Sequence, residues 1–281
     1  MNITNIREMS CFGLRRSGNH GIINWIIRQN DDAFVHLNNI KLYSNRDPYQ
    51  SFAEANIGRI NPLVYHKGIL KARRFTKYLI NRQVEYRYGG DRPELDRERL
   101  RRYSVKPLLI HSYEHYDLGH VIGNSFEAKR TEYLGKSQER FDVIILRDPY
   151  NTFASLIRKG ETLANPQSII NKWIEHAKEY LGMSKHFKHP VGINYNFWFT
   201  DQSYRQELAK KLGLPFTDAG IDTVPFVGEG SSFDKGAYDG QASQMPVLSR
   251  YKSYLEHPVM LKVLAHAELN ELANEIFGPI L

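Results

Sequence analysis

The chain has 281 residues, of which 25% are charged and 41% are hydrophobic. This composition is typical of a globular protein and excludes a mainly disordered or low-complexity chain. At roughly 100–200 residues per domain, the length indicates one large domain or one domain with an insertion. The single cysteine, Cys11, excludes an intrachain disulfide and a cysteine-based zinc cluster. We find neither an 18-residue apolar run nor a secretory signal pattern, and therefore expect a cytoplasmic protein without a membrane span.

The net charge of +7 is concentrated in one segment. Residues 66–106 contain 13 Lys/Arg and 5 Asp/Glu, a net charge of +8, whereas the rest of the chain carries −1. Such a patch attracts anionic partners, for example nucleic acid, an acidic glycan, a nucleotide or a membrane surface. A solvated helical arm with few carboxylates is an equally good interpretation of the same charge.

The first half of the chain begins with a strand, a turn and a helix. The apolar run at residues 9–14 predicts a buried strand, and Arg15–Gly18 predicts a tight turn after it. Isoleucines at i, i+4 spacing predict a helix directly after the turn. Residues 33–37 and 107–111 predict two more strands. Between them, the polar and basic residues 41–106 are interpreted as an insertion or lid with helical pieces.

The second half begins with the clearest strand pattern, at residues 141–146. Asp148 is expected to cap the helix that follows it, Pro149 to occupy the first helical position, and Gly160 to end the helix. Further along, we predict a helix from Pro166, a strand at 191–195, a helix at 204–212, a loop at 227–245 and helices at 248–256 and 259–277.

Strands alternate with helices along the whole chain. This alternation predicts a single α/β domain over residues 1–281, with three layers, α/β/α, and a central parallel sheet. In such sheets, ligands bind at the carboxyl ends of the strands. We therefore consider the turns that follow the first and the fourth predicted strands as candidate ligand-binding sites.

The first of these turns, Gly13–His20, has the sequence GLRRSGNH. Its glycine spacing matches that of the ATP-binding loop GxxxxGK[ST], which also lies between a strand and a helix. Asn19 replaces the lysine and His20 replaces the magnesium-binding Ser/Thr, so we expect no metal. Backbone N–H groups can still hold an anion, and Arg15 and Arg16 supply positive charge. An ordinary turn with two surface arginines is the alternative.

The second turn has the sequence LRDPYNTFAS. Arg147 directly follows the strand, and Ser155 comes eight residues later within the predicted helix. Helix geometry places Ser155 ~9 Å along the axis from the start of the helix. The spacing by itself therefore does not require the two residues to share a ligand.

Taken together, the two segments resemble the family of sulfotransferases that use 3′-phosphoadenosine 5′-phosphosulfate (PAPS). In that family a loop of the form [KR]-[ST]-G-T-T holds the 5′-phosphosulfate, and an Arg with a Ser eight positions on binds the 3′-phosphate. The resemblance implies the P-loop NTPase-like sulfotransferase fold and PAPS as co-substrate. The positions implied as its ligands are Arg15, Arg16, Ser17, Gly18, Asn19, His20, Arg147 and Ser155.

A third segment, GSSFDKG at 230–236, resembles the late loop that covers the nucleotide in cytosolic sulfotransferases. Phe233, Lys235 and Gly236 match that loop, although one basic residue is missing. Tyr195, at the end of a late predicted strand, resembles a second residue that contacts adenine.

The reaction that the resemblance implies requires a base for the acceptor, a donor at the leaving phosphate and in-line geometry. Arg16 matches the catalytic Lys/Arg of the family and would act by charge and hydrogen bonding. His111 resembles the catalytic histidine and has a suitable intrinsic pKa. Glu114 is the nearest glutamate, as other branches use, and its pKa would have to be raised by burial. A different residue is the third possibility.

The leading prediction is transfer of a sulfuryl group from PAPS to a hydroxyl or amine acceptor, such as an anionic glycan or a small molecule. A P-loop nucleotide-dependent kinase or phosphotransferase is an alternative, against which the missing lysine and magnesium ligand count. A nucleic-acid-binding protein is another, because aromatic residues are interleaved with the positive charges of residues 67–106. The sequence does not specify the acceptor or the oligomeric state.

Overall fold

The computed structural model describes residues 3–30, 34–38, 40, 48, 105–121, 124–161, 165–224, 233–234 and 236–281. The strands are β1 (Ile3–Gly13), β2 (Phe34–Leu37), β3 (Lys106–Glu114), β4 (Lys136–Leu146) and β5 (Pro190–Asn194). They form an all-parallel sheet in the order β2-β3-β1-β4-β5, flanked by helices. The predicted α/β class with a central parallel sheet is confirmed.

Helices connect these strands and follow the last of them. They are α1 (Asn19–Gln29), α2 (Leu118–Val121), α3 (Asn124–Leu134), α4 (Pro149–Lys159), α5 (Pro166–Tyr180), α6 (Tyr195–Thr200), α7 (Gln202–Lys211), α8 (Pro258–Leu264) and α9 (Ala267–Phe277). Two short 3-10 helices lie at Ala242–Gln244 and Arg250–Tyr254. The sequence of α3 has no apolar period, and this helix was not predicted.

The strands β1 and β4 are both longer than their apolar runs, and each extends further towards its N-terminus than predicted. Most of the additional residues are polar, and several are joined by side-chain contacts. Arg7 pairs with Glu139 at 2.7 Å, and the Asn5 amide donates to the Leu134 carbonyl oxygen at 2.9 Å and to the Ser137 hydroxyl at 3.0 Å. Because an apolar run marks only the buried part of a strand, hydrophobic patterns do not detect such polar extensions.

Capping side chains set several boundaries of the helices. The Asp148 carboxylate accepts from the Asn151 backbone N–H at 2.8 Å, which confirms the predicted N-cap of α4. The Asn194 side chain caps α6, so β5 ends one residue earlier than predicted and Tyr195 opens a helix. The predicted helix at 259–277 is two helices, because the His266 side chain accepts from Leu269 N at 3.3 Å and starts α9. The predicted helix at 248–256 is a 3-10 helix.

The insertion predicted at residues 41–106 lies outside the described residues, apart from residue 48 and the two residues 105 and 106. Lys106 is the first residue of β3 and is fully buried. Among the described residues, no helix is long and apolar enough to cross a bilayer.

Two compact units can be distinguished in the chain. The first comprises residues 1–11, 30–114 and 119–142, and the second comprises residues 12–29, 115–118 and 143–281. In the first unit, β2 pairs with β3 in parallel, with Phe34 opposite Leu108. In the second unit, α8 packs on α4 and α9 packs on α5. Trp173 is fully buried in this helical core, and its indole N–H donates to the Arg147 carbonyl oxygen at 3.0 Å.

The buried His176 on α5 makes the stability of the second unit depend on pH. Its Nε2 lies 3.1 Å from the Tyr116 carbonyl oxygen, which accepts from it, so the neutral ring carries its proton on Nε2. Burial lowers the pKa of His176 to about 4, against the smaller opposing effect of this hydrogen bond. Between pH ~6.5 and about 4 the unfolded chain therefore binds more protons than the folded protein. The free energy of unfolding must fall as the pH falls through this window.

His176→Gln keeps a donor but does not titrate. Between pH 7 and pH 4, we expect the free energy of unfolding of this variant to decrease by about 3 kcal/mol less than that of the wild type. The measurement is urea unfolding of both proteins between pH 7 and pH 4. His189→Gln, a substitution at an exposed position, is the control and should retain the wild-type pH dependence. An unchanged pH dependence in His176→Gln would contradict the assignment.

Candidate functional site

The turn between β1 and α1 has an unusual backbone. Arg16 has φ +69°, in the left-handed region, and Gly18 has φ +84°. For a residue with a side chain, this region costs on the order of 1–2 kcal/mol. The Ser17 N–H donates to the Leu14 carbonyl oxygen at 3.2 Å and closes the turn. A strained arginine at this place must be held by contacts from outside the turn, and such strain is concentrated at functional sites.

The Tyr195 ring packs directly against the turn. A Cβ atom placed on Gly18 would lie 2.1 Å from Cε2 of Tyr195, so no side chain fits there. Tyr195 is the first residue of α6 and is buried, and burial raises the pKa of its hydroxyl. Both residues are among those predicted from the sequence to contact the nucleotide, and in the structure they lie against each other.

Asn19 has a structural part in the turn. Its side-chain amide donates to the Leu14 carbonyl oxygen at 3.0 Å. Its Oδ1 lies so close to Gly13 that a Cβ there would approach it to 2.2 Å. The residue that replaces the P-loop lysine therefore braces the turn from within.

Arg147, which directly follows β4, provides the external contact that the turn requires. Its Nη1 donates to the Arg16 carbonyl oxygen at 3.2 Å, and its Nη2 donates to the Val247 carbonyl oxygen. Its guanidinium carbon lies 4.9 Å from the centre of the Tyr195 ring, a cation–π contact. Arg147 is buried and forms no ion pair with any carboxylate of the described residues. Burial raises the pKa of the neighbouring Asp148 and the charge of Arg147 opposes this effect. The positive charge of Arg147 is therefore balanced by carbonyl dipoles, an aromatic face and this carboxylate.

A second buried arginine, Arg250, was not predicted. Its guanidinium carbon lies 4.5 Å from the centre of the Phe233 ring, and its Nη2 pairs with Asp234. Burial and the positive charge of Arg147 lower the pKa of Arg250, and Asp234 opposes them. The missing basic residue in the segment at 230–236 was the one signal in the sequence that could have prompted a search for this arginine.

Three buried donors near these residues have no hydrogen-bond partner in the part of the chain that the structure describes. They are the Ser17 hydroxyl, Nε of Arg147 and Nε of Arg250. An unsatisfied buried polar group costs about 1–3 kcal/mol, and most such groups in native proteins do have partners. Two guanidiniums and a hydroxyl with unused donors form the chemistry of an anion site.

Glu161, a residue missed by the sequence analysis, lies against the turn. Its Oε1 accepts from Nη2 of Arg16 at 3.0 Å, and its Oε2 lies 3.7 Å from Nη1 of Arg15. No motif includes this position. Only the end of α4 in three dimensions brings its carboxylate to the two arginines.

The other predicted ligands of the nucleotide are less closely connected to the turn. Ser155 is buried on α4, but no hydrogen bond joins it to Arg147 within the described residues. His20 is half-buried in the first turn of α1. Gly236 is exposed, with nothing within 4 Å of a Cβ at that position. Lys235 lies outside the described residues.

His111 lies in the first unit, in a buried polar network. Its Nε2 is 3.0 Å from Oε1 of Glu8, and its Nδ1 is 2.8 Å from the hydroxyl of Tyr113. Burial acts to raise the pKa of Glu8, but Arg130 and the hydrogen bonds from His111 and Ser137 hold it far below its usual value. The ionised Glu8 is an acceptor only, so His111 must carry its proton on Nε2. Tyr113 then donates to Nδ1.

These contacts use both ring nitrogens of His111, which is completely buried. Burial lowers the pKa of His111, although Glu8 acts to raise it. Glu114, the other predicted base, is partly exposed at the end of β3. It directly precedes His115, whose backbone N–H donates to the Gly13 carbonyl oxygen at 3.0 Å. A search of the described residues finds no group of three or more His, Cys, Asp or Glu arranged to hold a metal ion.

Two of the solved structures to which the chain is similar are both sulfotransferase domains. No protein-family model matches the chain, and no curated protein matches it. A sulfotransferase domain from the Synechococcus PCC 7002 olefin synthase is similar with 12% identity and a TM-score of 0.45, over 98% of this chain and 95% of that one. A sulfotransferase domain from the curacin biosynthetic pathway is similar with 13% identity and a TM-score of 0.41, over 98% of both chains.

The contact between Gly18 and Tyr195 can be tested with a pair of glycine substitutions. Gly182 has φ +72° with nothing within 4 Å of a Cβ, so Gly182→Ala reports the backbone strain by itself. We expect it to lower the free energy of unfolding by about 1 kcal/mol. Gly18→Ala adds the clash with the ring, and we expect a further loss of about 1–3 kcal/mol. Urea unfolding measures both losses, and equal values would contradict the close packing.

Proposed function

We propose that this protein is a sulfotransferase that moves the sulfuryl group of PAPS to a hydroxyl or amine acceptor. The observation that carries the proposal is the hydrogen bond from Arg147 to the Arg16 carbonyl oxygen. These two residues belong to the two sequence segments on which the resemblance rests, and they are 131 positions apart. A shared nucleotide site requires that the two segments meet.

The charges and unused donors around this contact support an anionic ligand. In the proposal, the backbone N–H groups and the Ser17 hydroxyl hold the 5′-phosphosulfate, with charge from Arg15 and Arg16. Arg147 binds the 3′-phosphate through its unused Nε, and Ser155 supports it. Tyr195 and Phe233 stay as proposed contacts of the adenine. Gly18, Asn19 and His20 shape the cradle, and Lys235 and Gly236 stay as proposed contacts of the nucleotide.

The part of Asn19 in the turn favours sulfuryl over phosphoryl transfer. A P-loop lysine reaches the β- and γ-phosphates of a nucleotide, together with a magnesium ion held by the next residue. Here the corresponding side chain is committed to the Leu14 carbonyl oxygen. A sulfuryl group carries less negative charge than a phosphoryl group, so its transfer places a smaller demand on cations.

In the proposed reaction, the acceptor oxygen forms a bond to sulfur while the bond from sulfur to the 5′-phosphate oxygen breaks. The electron pair of that bond stays on the phosphate, where Arg16 stabilises the growing charge. The acceptor proton passes to a base. Arg16 acts as a fixed cation, because arginine does not release its proton in proteins.

Glu114 is the base that we favour. Glu114 is a partly exposed residue, whereas His111 is fully buried with both nitrogens bonded to Glu8 and Tyr113. A base must reach the acceptor hydroxyl to within hydrogen-bond distance. We therefore propose that His111 has a structural role, in which its neutral ring donates a hydrogen bond to Glu8 and accepts one from Tyr113.

The cofactor can be tested by calorimetric titration with 3′,5′-adenosine bisphosphate, the desulfated product, without magnesium. We expect binding at micromolar strength or better. Arg147→Ala should weaken it by about 10- to 100-fold, since one or two charge-assisted hydrogen bonds are lost. Lys262→Ala, at an exposed position on α8, should bind like the wild type. Binding of ATP with magnesium in place of the bisphosphate would overturn the proposal in favour of a phosphotransferase.

The base can be tested with Glu114→Gln and His111→Gln, using PAPS and 4-nitrophenol as a simple acceptor. Glu114→Gln should lower the transfer rate at least 100-fold while the affinity for the bisphosphate changes less than twofold. His111→Gln should lower the free energy of unfolding by about 1–3 kcal/mol, because it disturbs a buried hydrogen bond to the ionised Glu8. Its folded fraction should transfer at nearly the wild-type rate. The reverse pattern would restore His111 as the base.

A further inference from the structure

The backbone at the end of α4 holds Glu161 in one position. Gly160, with φ +70°, donates its N–H to the Ile157 carbonyl oxygen at 2.9 Å, and the Glu161 N–H donates to the Leu156 carbonyl oxygen at 3.1 Å. This pair of hydrogen bonds is the Schellman arrangement of a helix C-terminus. The Cα of Glu161 is therefore as fixed as the helix itself, and its side chain starts from a defined point.

From that point the carboxylate reaches both arginines of the turn. Oε1 is 3.0 Å from Nη2 of Arg16 and Oε2 is 3.7 Å from Nη1 of Arg15. The side chains are partly exposed, 49% for Arg15, 23% for Arg16 and 26% for Glu161, so the pairing itself contributes little to stability. Its main effect is on the charge of the turn. Two guanidiniums and one carboxylate leave a net charge of +1.

We propose that Glu161 determines the donor specificity of the turn by setting this charge. A net charge of +1 matches a terminal group with one negative charge, such as sulfuryl, and disfavours one with two, such as phosphoryl. This inference rests on the proposed function and adds to it a residue that selects the donor. Arg16 can serve both partners, because a guanidinium has five N–H donors and the contact with Glu161 uses one of them.

The selection follows from the distance over which charges act. A ligand oxygen held by Arg16 lies within a few ångströms of the Glu161 carboxylate, well inside the ~8 Å screening length at physiological ionic strength. Each added negative charge on the ligand is then repelled by Glu161 while it is attracted by the arginines. Without the carboxylate, the turn would carry +2 and would favour the dianion.

Two nucleotides that differ only in the terminal group provide the test. PAPS carries a terminal sulfuryl group, and adenosine 3′-phosphate 5′-diphosphate carries a terminal phosphoryl group in its place. The second pKa of a phosphate is ~6, so the terminal phosphoryl group is dianionic at pH 8. Calorimetric titrations at pH 8 without metal ions should show that the wild type binds PAPS at least tenfold more tightly.

Glu161→Gln keeps the size of the side chain and removes its charge. We expect the affinity for the diphosphate to rise about tenfold and that for PAPS to change less than threefold, so that the preference is lost. Glu161→Asp keeps the charge and should retain the preference. Glu207→Gln, on the exposed face of α7, removes one carboxylate elsewhere and should behave like the wild type. The gain for the diphosphate should shrink at 0.5 M salt.

Three results would overturn the inference while leaving the proposed function intact. The first is an equal preference in the wild type and Glu161→Gln. The second is an equal decrease in the affinity for both nucleotides in Glu161→Gln, which would show that Glu161 only positions Arg16. The third is loss of the preference in Glu161→Asp. If folded wild type and Glu161→Gln bind neither nucleotide, the proposed function fails as well. Circular dichroism and urea unfolding establish that each variant is folded.

Discussion

The guanidinium of Arg147 joins the end of β4 to the turn after β1, and the candidate site depends on this contact. Arg147 donates to the carbonyl oxygen of Arg16, a residue whose left-handed backbone is unfavourable without external support. The same guanidinium lies against the Tyr195 ring, which in turn leaves room only for glycine at position 18. One buried cation thus holds the backbone, the aromatic face and the turn in a single arrangement.

The proposed role of each charged residue follows from its hydrogen-bond and ion-pair partners more than from its residue type. Arg147 is bonded to carbonyl oxygens and has a donor left over, so its charge is available to a ligand. The guanidinium of Arg130, in the first unit, forms ion pairs with Glu8 and Glu127, so its charge is compensated within the protein. His111 belongs to the same interior network. An imidazole with both nitrogens engaged in a buried site is a stabilising group, whatever its suitability as a base in water.

The carboxylates near the arginines set the net charge of the proposed anion site. Glu161 shares the charge of the turn and Asp234 pairs with Arg250, while the charge of Arg147 acts on the pKa of the buried Asp148 without a direct ion pair among the described residues. A site built in this way can discriminate among anions by their charge, which backbone N–H groups do to a much smaller degree.

Local patterns in the sequence are enough to predict the α/β class, the turn after β1 and the helix that begins at Pro149. These features depend on local patterns: apolar runs that alternate with amphipathic segments, glycine spacing, and the Asp148 cap that binds the Asn151 N–H within one helical turn. The buried parts of β1 and β4 were predicted for the same reason, and their polar extensions were missed because hydrophobicity does not mark them.

Contacts between elements that are far apart in the sequence determine which residues form the candidate site. Glu161 and Arg250 were missed because they contact the turn and the aromatic rings from positions far along the chain, where no local pattern identifies them. The engagement of both nitrogens of His111 required Glu8, which is 103 residues away and on another strand. Local sequence encodes hydrogen bonds and burial over a few residues. The burial and the charge partners of a side chain are set by elements that meet only when the sheet forms.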